Sequence, residues 1–158
     1  MLKNKLAIIG GSGLYNIEGL SNVESLKMKT PWGNPSDELT KALFKSKEVI
    51  FLPRHGRGHF ISPTKINFRA NIDALKQLGV TDIVSISAVG SLKEELEPGM
   101  FVIVDQFIDR TFARNKTFFD EDIVAHVSMA KPTSEGLMNA CEESIKSENI
   151  KYKRGATY

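Results

Sequence analysis

Four apolar residues, Leu6-Ala7-Ile8-Ile9, run directly into Gly10-Gly11-Ser12-Gly13. That junction constrains the fold more than any other feature of the chain. An apolar run this short, closed by glycines, is a buried strand that turns sharply at its carboxyl end. The same grammar recurs twice. Glu48 to Leu52 ends in the polar segment Pro53-Arg54-His55-Gly56-Arg57-Gly58-His59, and Asp82 to Ser87 ends in Ala88-Val89-Gly90-Ser91. Leu39 to Phe44 and Met100 to Val104 read as further strands, and Thr30 to Pro35 as a turn or hairpin.

Helical signals lie between these runs. Ser62-Pro63 has the form of a helix start, with serine as N-cap and proline at the first helical position. Ile66, Ala70, Ala74, Leu75 and Leu78 follow at helical spacing, and Gly79 stands where a C-terminal stop belongs. A second helix is predicted over Ser134 to Ser147, with Leu137, Cys141 and Ile145 on its inner face. Lys151 to Tyr158 reads as a closing strand. Strands mixed with helices of this length predict an α/β fold, a layered mixed β-sheet with flanking helices. Asp105 to Val127 is polar, aromatic and irregular, and it is too long for an idle connection, which favours a functional loop.

The totals bound the function classes. A length of 158 residues suits one compact domain, and 41% hydrophobic with 25% charged residues excludes a disordered chain. A net charge of +2 is too mild to imply nucleic acid or an anionic membrane as partner. The single cysteine, Cys141, forms no internal disulfide, and no targeting or membrane-length segment is visible, so a cytoplasmic protein is expected.

In open α/β sheets, ligands bind beyond the carboxyl ends of strands. Three such ends carry residues suited to a small oxyanion. Gly10 to Gly13 lets the backbone approach an anion closely, and Ser12 adds a hydroxyl donor. Arg54 offers a planar fork for two phosphate oxygens, and His55 a further donor. Ser87-Ala88 combines a hydroxyl with a small neighbour. Taken singly, the first and third also suit tight turns without a ligand, and the second a solvated basic loop. Their agreement favours function, because none brings a carboxylate that would repel a dianion. Gly10 to Gly13 has neither the Walker-loop sequence nor dinucleotide spacing, so a dinucleotide-binding domain fits poorly.

At these residues the chain resembles the 5′-methylthioadenosine phosphorylases, of the trimeric nucleoside phosphorylase family. The resemblance is carried by Ile8-Ile9-Gly10-Gly11-Ser12-Gly13-Leu14, Pro53 to His59, Asn71-Ile72-Asp73-Ala74-Leu75 and Gly90-Ser91-Leu92. It is most specific in Asp105-Gln106-Phe107-Ile108-Asp109-Arg110-Thr111, Thr117-Phe118-Phe119-Asp120 and Val124-Ala125-His126-Val127. It implies a nucleoside phosphorylase-like, Rossmann-like fold, of which residues 1–158 form the N-terminal portion, an incomplete single domain without its C-terminal part. It implies phosphorolysis of the N-glycosidic bond of 5′-methylthioadenosine to adenine and 5-methylthioribose 1-phosphate, a step of purine and methionine salvage. It places phosphate at Ser12, Arg54, His55, Ser87 and the backbone of Ala88, and it sets His126 against the ligand of a neighbouring subunit in a homotrimer.

The partners so implied are a purine nucleoside and inorganic phosphate, with no metal and no cofactor, phosphate being a co-substrate. The family's purine-side acid lies beyond Tyr158, so no catalytic residue is assigned. Asp105, Asp109 and Asp120 are read as loop-organising partners of Arg110 and Arg114. Two alternatives stay open: a phosphorylase for methylthioinosine or another purine nucleoside, and a truncated, non-catalytic fragment that binds phosphate or nucleoside.

Overall fold

The computed structural model describes residues 4–11, 17–119 and 122–158. The chain forms two compact units, Met1–Ser87 with Arg114–Phe118, and Ala88–Ala113 with Phe119–Tyr158.

The first unit holds a mixed five-stranded sheet. Its strands are β1 (Leu6–Gly10), β2 (Leu20–Leu26), β3 (Leu39–Phe44), β4 (Lys47–Pro53) and β5 (Asp82–Ser85), in the order β2-β3-β4-β1-β5. β1 pairs in parallel with both β4 and β5, whereas β3 runs antiparallel to β4 and to β2. The continuous apolar reading of β1 now has its cause: a strand covered on both faces has no polar side to show. The two-residue period then sorts the neighbours. Ala7, Leu39, Ile50 and Leu52 join Ala74 and Leu75 of helix α1 (Phe68–Gln77) in one buried cluster. Ala42, Val49 and Phe51 point to the opposite face, where Ile8, Ile17 and Leu20 pack on them.

Helix α1 starts later than its sequence signal. Ser62-Pro63 opens only a 3-10 turn, Pro63–Lys65, and Ser62 makes no side-chain cap bond. Ile66 then takes an extended conformation (ψ 127°), which halts the helix. The true cap is Asn67, whose Oδ1 accepts from Ala70 N at 3.1 Å while its amide donates to Trp32 O at 2.7 Å. One amide thus satisfies a helix-end donor and a turn carbonyl together. Deeper in α1, Asn71 is only 3% exposed. Its Oδ1 accepts from Ser36 N at 2.8 Å, and its amide donates to Ser36 Oγ at 2.9 Å.

The second unit pairs β6 (Phe101–Ile103) in parallel with β7 (Tyr152–Arg154) and holds helix α2 (Glu135–Ser147). Both strands are shorter than the sequence implies, although Asp105 N, Ile108 N and Tyr158 N extend the pairing through Ala156 O, Tyr158 O and Gln106 O. Ser134 caps α2, its hydroxyl accepting from Leu137 N. Glu142 anchors the inner side of this helix. Tyr152 OH and Arg154 donate to its carboxylate, and Lys146 pairs with it at 3.0 Å. Arg154 also reaches Glu135. No helix among the described residues is long and apolar enough to cross a membrane.

The hydrogen bond from Tyr152, with those from Lys146 and Arg154, lowers the Glu142 pKa from its ordinary value of 4.5 to about 2. A carboxylate lowered on folding contributes stability above its ordinary value and loses that contribution as pH falls through the folded one. The Glu142 contribution to the α2–β7 contact is therefore expected intact above about pH 4.5 and gone near pH 2. A carboxyl carbon titration by NMR checks this; a Glu142 midpoint at an ordinary carboxylate value rejects the triple donor set.

Candidate functional site

The parallel strands β4, β1 and β5 all deliver their carboxyl ends to one edge of the sheet. The three segments singled out from sequence follow these ends. Backbone bonds continue the alignment past the strands: Arg54 N donates to Gly10 O at 3.2 Å, and Ile86 N donates to Ile9 O at 2.8 Å. Gly10, Arg54 and Ile86 are thereby fixed side by side.

Arg54 ties this edge together. Its Nε–H donates to His55 Nε2 at 3.0 Å, and its Nη1 donates to the carbonyl of Ile86 at 2.8 Å. The neighbour of that carbonyl is Ser87, which is exposed. Two of the three expected ends, Arg54 and the β5 terminus, are joined by a direct contact. Ser12 of the first end lies outside the described residues. Ala88 is exposed and is the first residue of the second unit. His126 lies in the irregular part of that unit and is also exposed.

His55 is 6% exposed and uses both ring nitrogens. Nδ1 lies 2.9 Å from the carbonyl of Ile61. A carbonyl only accepts and an arginine Nε–H only donates, so the geometry requires the tautomer with the proton on Nδ1 and the lone pair on Nε2. The ring also stacks on His59, with centroids 4.3 Å apart and planes at 29°.

The loop that presents Arg54 and His55 is a tight one. Gly56 N donates to Pro53 O, His59 N to Gly56 O, and Ile61 N to His55 O, each at 3.0 Å. Gly56 sits at φ +71°, and a Cβ there would meet the Phe60 ring at 3.0 Å and Ser36 O at 3.3 Å. Only glycine fits between the phenyl ring and the Ser36 carbonyl. Arg57 turns away from the edge: its backbone N–H donates to Asp37 and its guanidinium to Thr40 Oγ1 at 2.9 Å. That separates the roles of the two arginines, which sequence alone distinguished only by position.

Sequence reasoning missed the acceptors. The carbonyls of Ile86 and Ile61 hold Arg54 and His55, and a backbone carbonyl has no side-chain signature. Two of the residues expected to organise this loop make contacts of their own. Asp109 Oδ1 accepts from the Thr111 N–H and hydroxyl, and the Arg114 guanidinium stands 5.8 Å from the centroid of the Phe68 ring. Asp120 lies outside the described residues.

Known proteins share this architecture. The chain is 54% identical over 157 residues to the S-methyl-5′-thioadenosine phosphorylase of Cereibacter sphaeroides, covering 99% of this chain and 54% of that protein. It is 52% identical over 156 residues to the protein of the same name from Saccharolobus solfataricus, covering 99% and 58%. The chain thus spans about half the length of the curated relatives it matches. The fold also matches the crystal structure of a methylthioadenosine phosphorylase from an Antarctic soil metagenomic library, with a TM-score of 0.94 and 46% identity over 98% of this chain and 55% of that one. A Schistosoma mansoni methylthioadenosine phosphorylase in complex with adenine superposes with a TM-score of 0.86 at 39% identity, over 94% of this chain and 55% of that one. The mixed α/β sheet is a nucleoside phosphorylase fold. Residues 5–158 match the model of one family across both compact units, and by that match the chain belongs to the phosphorylase superfamily.

Proposed function

We propose that the protein is a purine nucleoside phosphorylase that splits 5′-methylthioadenosine with inorganic phosphate. The products are adenine and 5-methylthioribose 1-phosphate. The observation that carries the reading is the Arg54 guanidinium at the shared carboxyl edge of β4, β1 and β5, bonded to the β5 terminus beside Ser87. Relatives that bear the methylthioadenosine phosphorylase name, at about half identity over nearly the whole chain, support the choice of nucleoside.

The chemistry suits such an edge. As the purine departs, C1′ of the sugar becomes cation-like, as in glycoside cleavage. A phosphate dianion held beneath it stabilises that charge. One phosphate oxygen forms the new C1′–O bond while the C1′–N9 bond breaks, and its electron pair leaves with the purine, which takes up a proton near N7. The protein's part is placement and electrostatics, with donors that grip phosphate yet leave an oxygen free. In this reading Ser12, Arg54, His55, Ser87 and the Ala88 N–H face phosphate. Among residues 1–158 none is assigned as the purine-side acid. The unit of catalysis is a homotrimer in which His126 reaches the 5′-thioether of a nucleoside bound to the next subunit. The reaction runs in the cytoplasm without cofactor or metal.

The test is phosphate-dependent adenine release from 5′-methylthioadenosine, followed chromatographically beside methylthioinosine as substrate. Adenine formed only when phosphate is present supports the proposal. Preference for methylthioinosine moves the base specificity to 6-oxo purines. Phosphate binding with no release of base leaves a non-catalytic binding fragment, and failure to bind phosphate at all removes the reading.

A further inference from the structure

We propose that Asp37 is a positioning residue: its carboxylate pins the loop that carries Arg54 and His55, and so sets where those two residues meet phosphate. The inference rests on the phosphate reading above. Asp37 acts through the loop and not on the anion.

The loop needs an outside support. Gly56 and Gly58 stand at positive φ, 71° and 88°, and His59 follows at 58°. Glycines are freer than other residues in the unfolded chain, so fixing them costs more conformational entropy. One turn is closed by Gly56 N on Pro53 O, and the next by His59 N on Gly56 O. The Arg57 N–H lies just past the residue these turns share, and it donates to Asp37 Oδ2 at 2.6 Å. A backbone N–H on a carboxylate makes a charge-assisted bond, shorter and stronger than one on a neutral carbonyl. The Arg57 guanidinium adds a tie to the same stretch of chain, at Thr40 Oγ1 of β3.

Asp37 serves as a fixed post because it is held itself. Its other oxygen, Oδ1, accepts from Glu38 N at 2.8 Å, which sets the plane of the carboxylate. Ser36, the residue before it, is buried and bonded twice to Asn71 of α1. The Ser36 carbonyl also closes on Gly56, where an added Cβ would meet it at 3.3 Å. Consecutive residues ahead of β3 thus grip consecutive residues of the loop, Ser36 against Gly56 and Asp37 on Arg57. That register fixes the backbone from which Arg54 and His55 reach out. Donors held in place before the ligand arrives bind it without a further ordering cost.

The test compares Asp37→Ala, Asp37→Asn and Glu38→Ala. Alanine removes both acceptor oxygens, whereas asparagine keeps one. Glu38 is the neighbouring carboxylate; it accepts from Ser25 Oγ of the edge strand β2 and serves as the control. Calorimetric titration with inorganic phosphate is expected to show D37A weakened about tenfold, D37N weakened less, and Glu38→Ala close to the unaltered chain. In the adenine-release assay the phosphate KM is expected to rise in D37A while the nucleoside KM stays where it was, a split that general loosening of the fold does not produce. The Arg57 amide proton is expected well downfield in the unaltered chain and moved upfield in D37A. An Arg57 amide at an ordinary shift in the unaltered chain removes the bond and the proposal with it. Phosphate affinity unchanged in D37A, or in D37N should D37A fail to fold, with the Arg57 amide moved, overturns the positioning role and leaves the phosphate site standing. Equal losses for phosphate and nucleoside do the same. An unaltered chain that binds no phosphate overturns the phosphate reading itself.

Discussion

Replacing Arg54 by alanine is expected to weaken phosphate use by roughly ten- to a hundredfold, the 1.5–3 kcal/mol typical of a charge-assisted hydrogen bond, and to affect nucleoside binding far less. The asymmetry follows from where the side chain sits. Arg54 leaves the sheet at the carboxyl end of β4, and its guanidinium reaches across to the β5 terminus at Ile86. Truncation removes the positive charge from that edge. It also leaves the Ile86 carbonyl without its Arg54 donor. The loss of charge thus falls on phosphate, whereas the adenine and thioether ends of the substrate are expected to lose no contact. Steady-state kinetics with phosphate varied, beside nucleoside varied at fixed phosphate, reads both effects. An unchanged phosphate KM and rate would show that Arg54 has no part in holding the anion.

The second large effect is expected from Asn71→Leu, and it falls on stability. Asn71 and Ser36 exchange two hydrogen bonds in a buried setting, one to the Ser36 N–H and one from the Asn71 amide to Ser36 Oγ. Leucine has similar volume but no polar atom. It leaves a buried N–H and a buried hydroxyl without those partners, at about 1–3 kcal/mol for each unsatisfied group. A loss of roughly 2–4 kcal/mol is therefore expected, large against the total stability of a small domain. The consequence travels to the site, because the Ser36 carbonyl stands against Gly56 in the loop that carries Arg54 and His55. Urea unfolding followed by circular dichroism measures the loss. A loss of only a few tenths of a kcal/mol in unfolding free energy would mean that water satisfies Ser36 and that the pair is dispensable. A concurrent fall in phosphate affinity, measured well below the unfolding midpoint, is the sign that the Ser36 turn supports the loop.

Much of the framework was legible because burial leaves a trace in the chain. β1, β3 and β4 were read from short apolar runs, and α2 from the spacing of Leu137, Cys141 and Ile145, and all four form close to the expected limits. β2 went unread. Its sequence, Leu-Ser-Asn-Val-Glu-Ser-Leu, has no clean alternation, and it lies at the sheet edge, where one side faces solvent. Asn22 takes a positive φ of 50° where the pairing register shifts between Ser21 and Glu24, so the periodicity that would have marked the strand is broken by a bulge. The start of α1 was misplaced for a related reason. Ser62-Pro63 is a valid local signal, but Asn67 has a second partner at Trp32, distant in sequence, and that contact favours the later cap.

By itself the sequence determined which segments are strands with donor-rich carboxyl ends, since apolar runs and glycine turns are local properties. It also determined that an arginine and a histidine follow β4. Only the tertiary structure decided that β1 lies between β4 and β5, which sets Arg54 against the Ile86 carbonyl. Strand order is fixed by contacts between residues far apart in the chain, and no local pattern encodes it. The structure alone also showed how the two adjacent side chains are held: Arg54 donates to His55 and to the Ile86 carbonyl, and both His55 ring nitrogens have protein partners. The physical reason is that a side chain's remaining valence depends on which backbone carbonyls the fold brings to it.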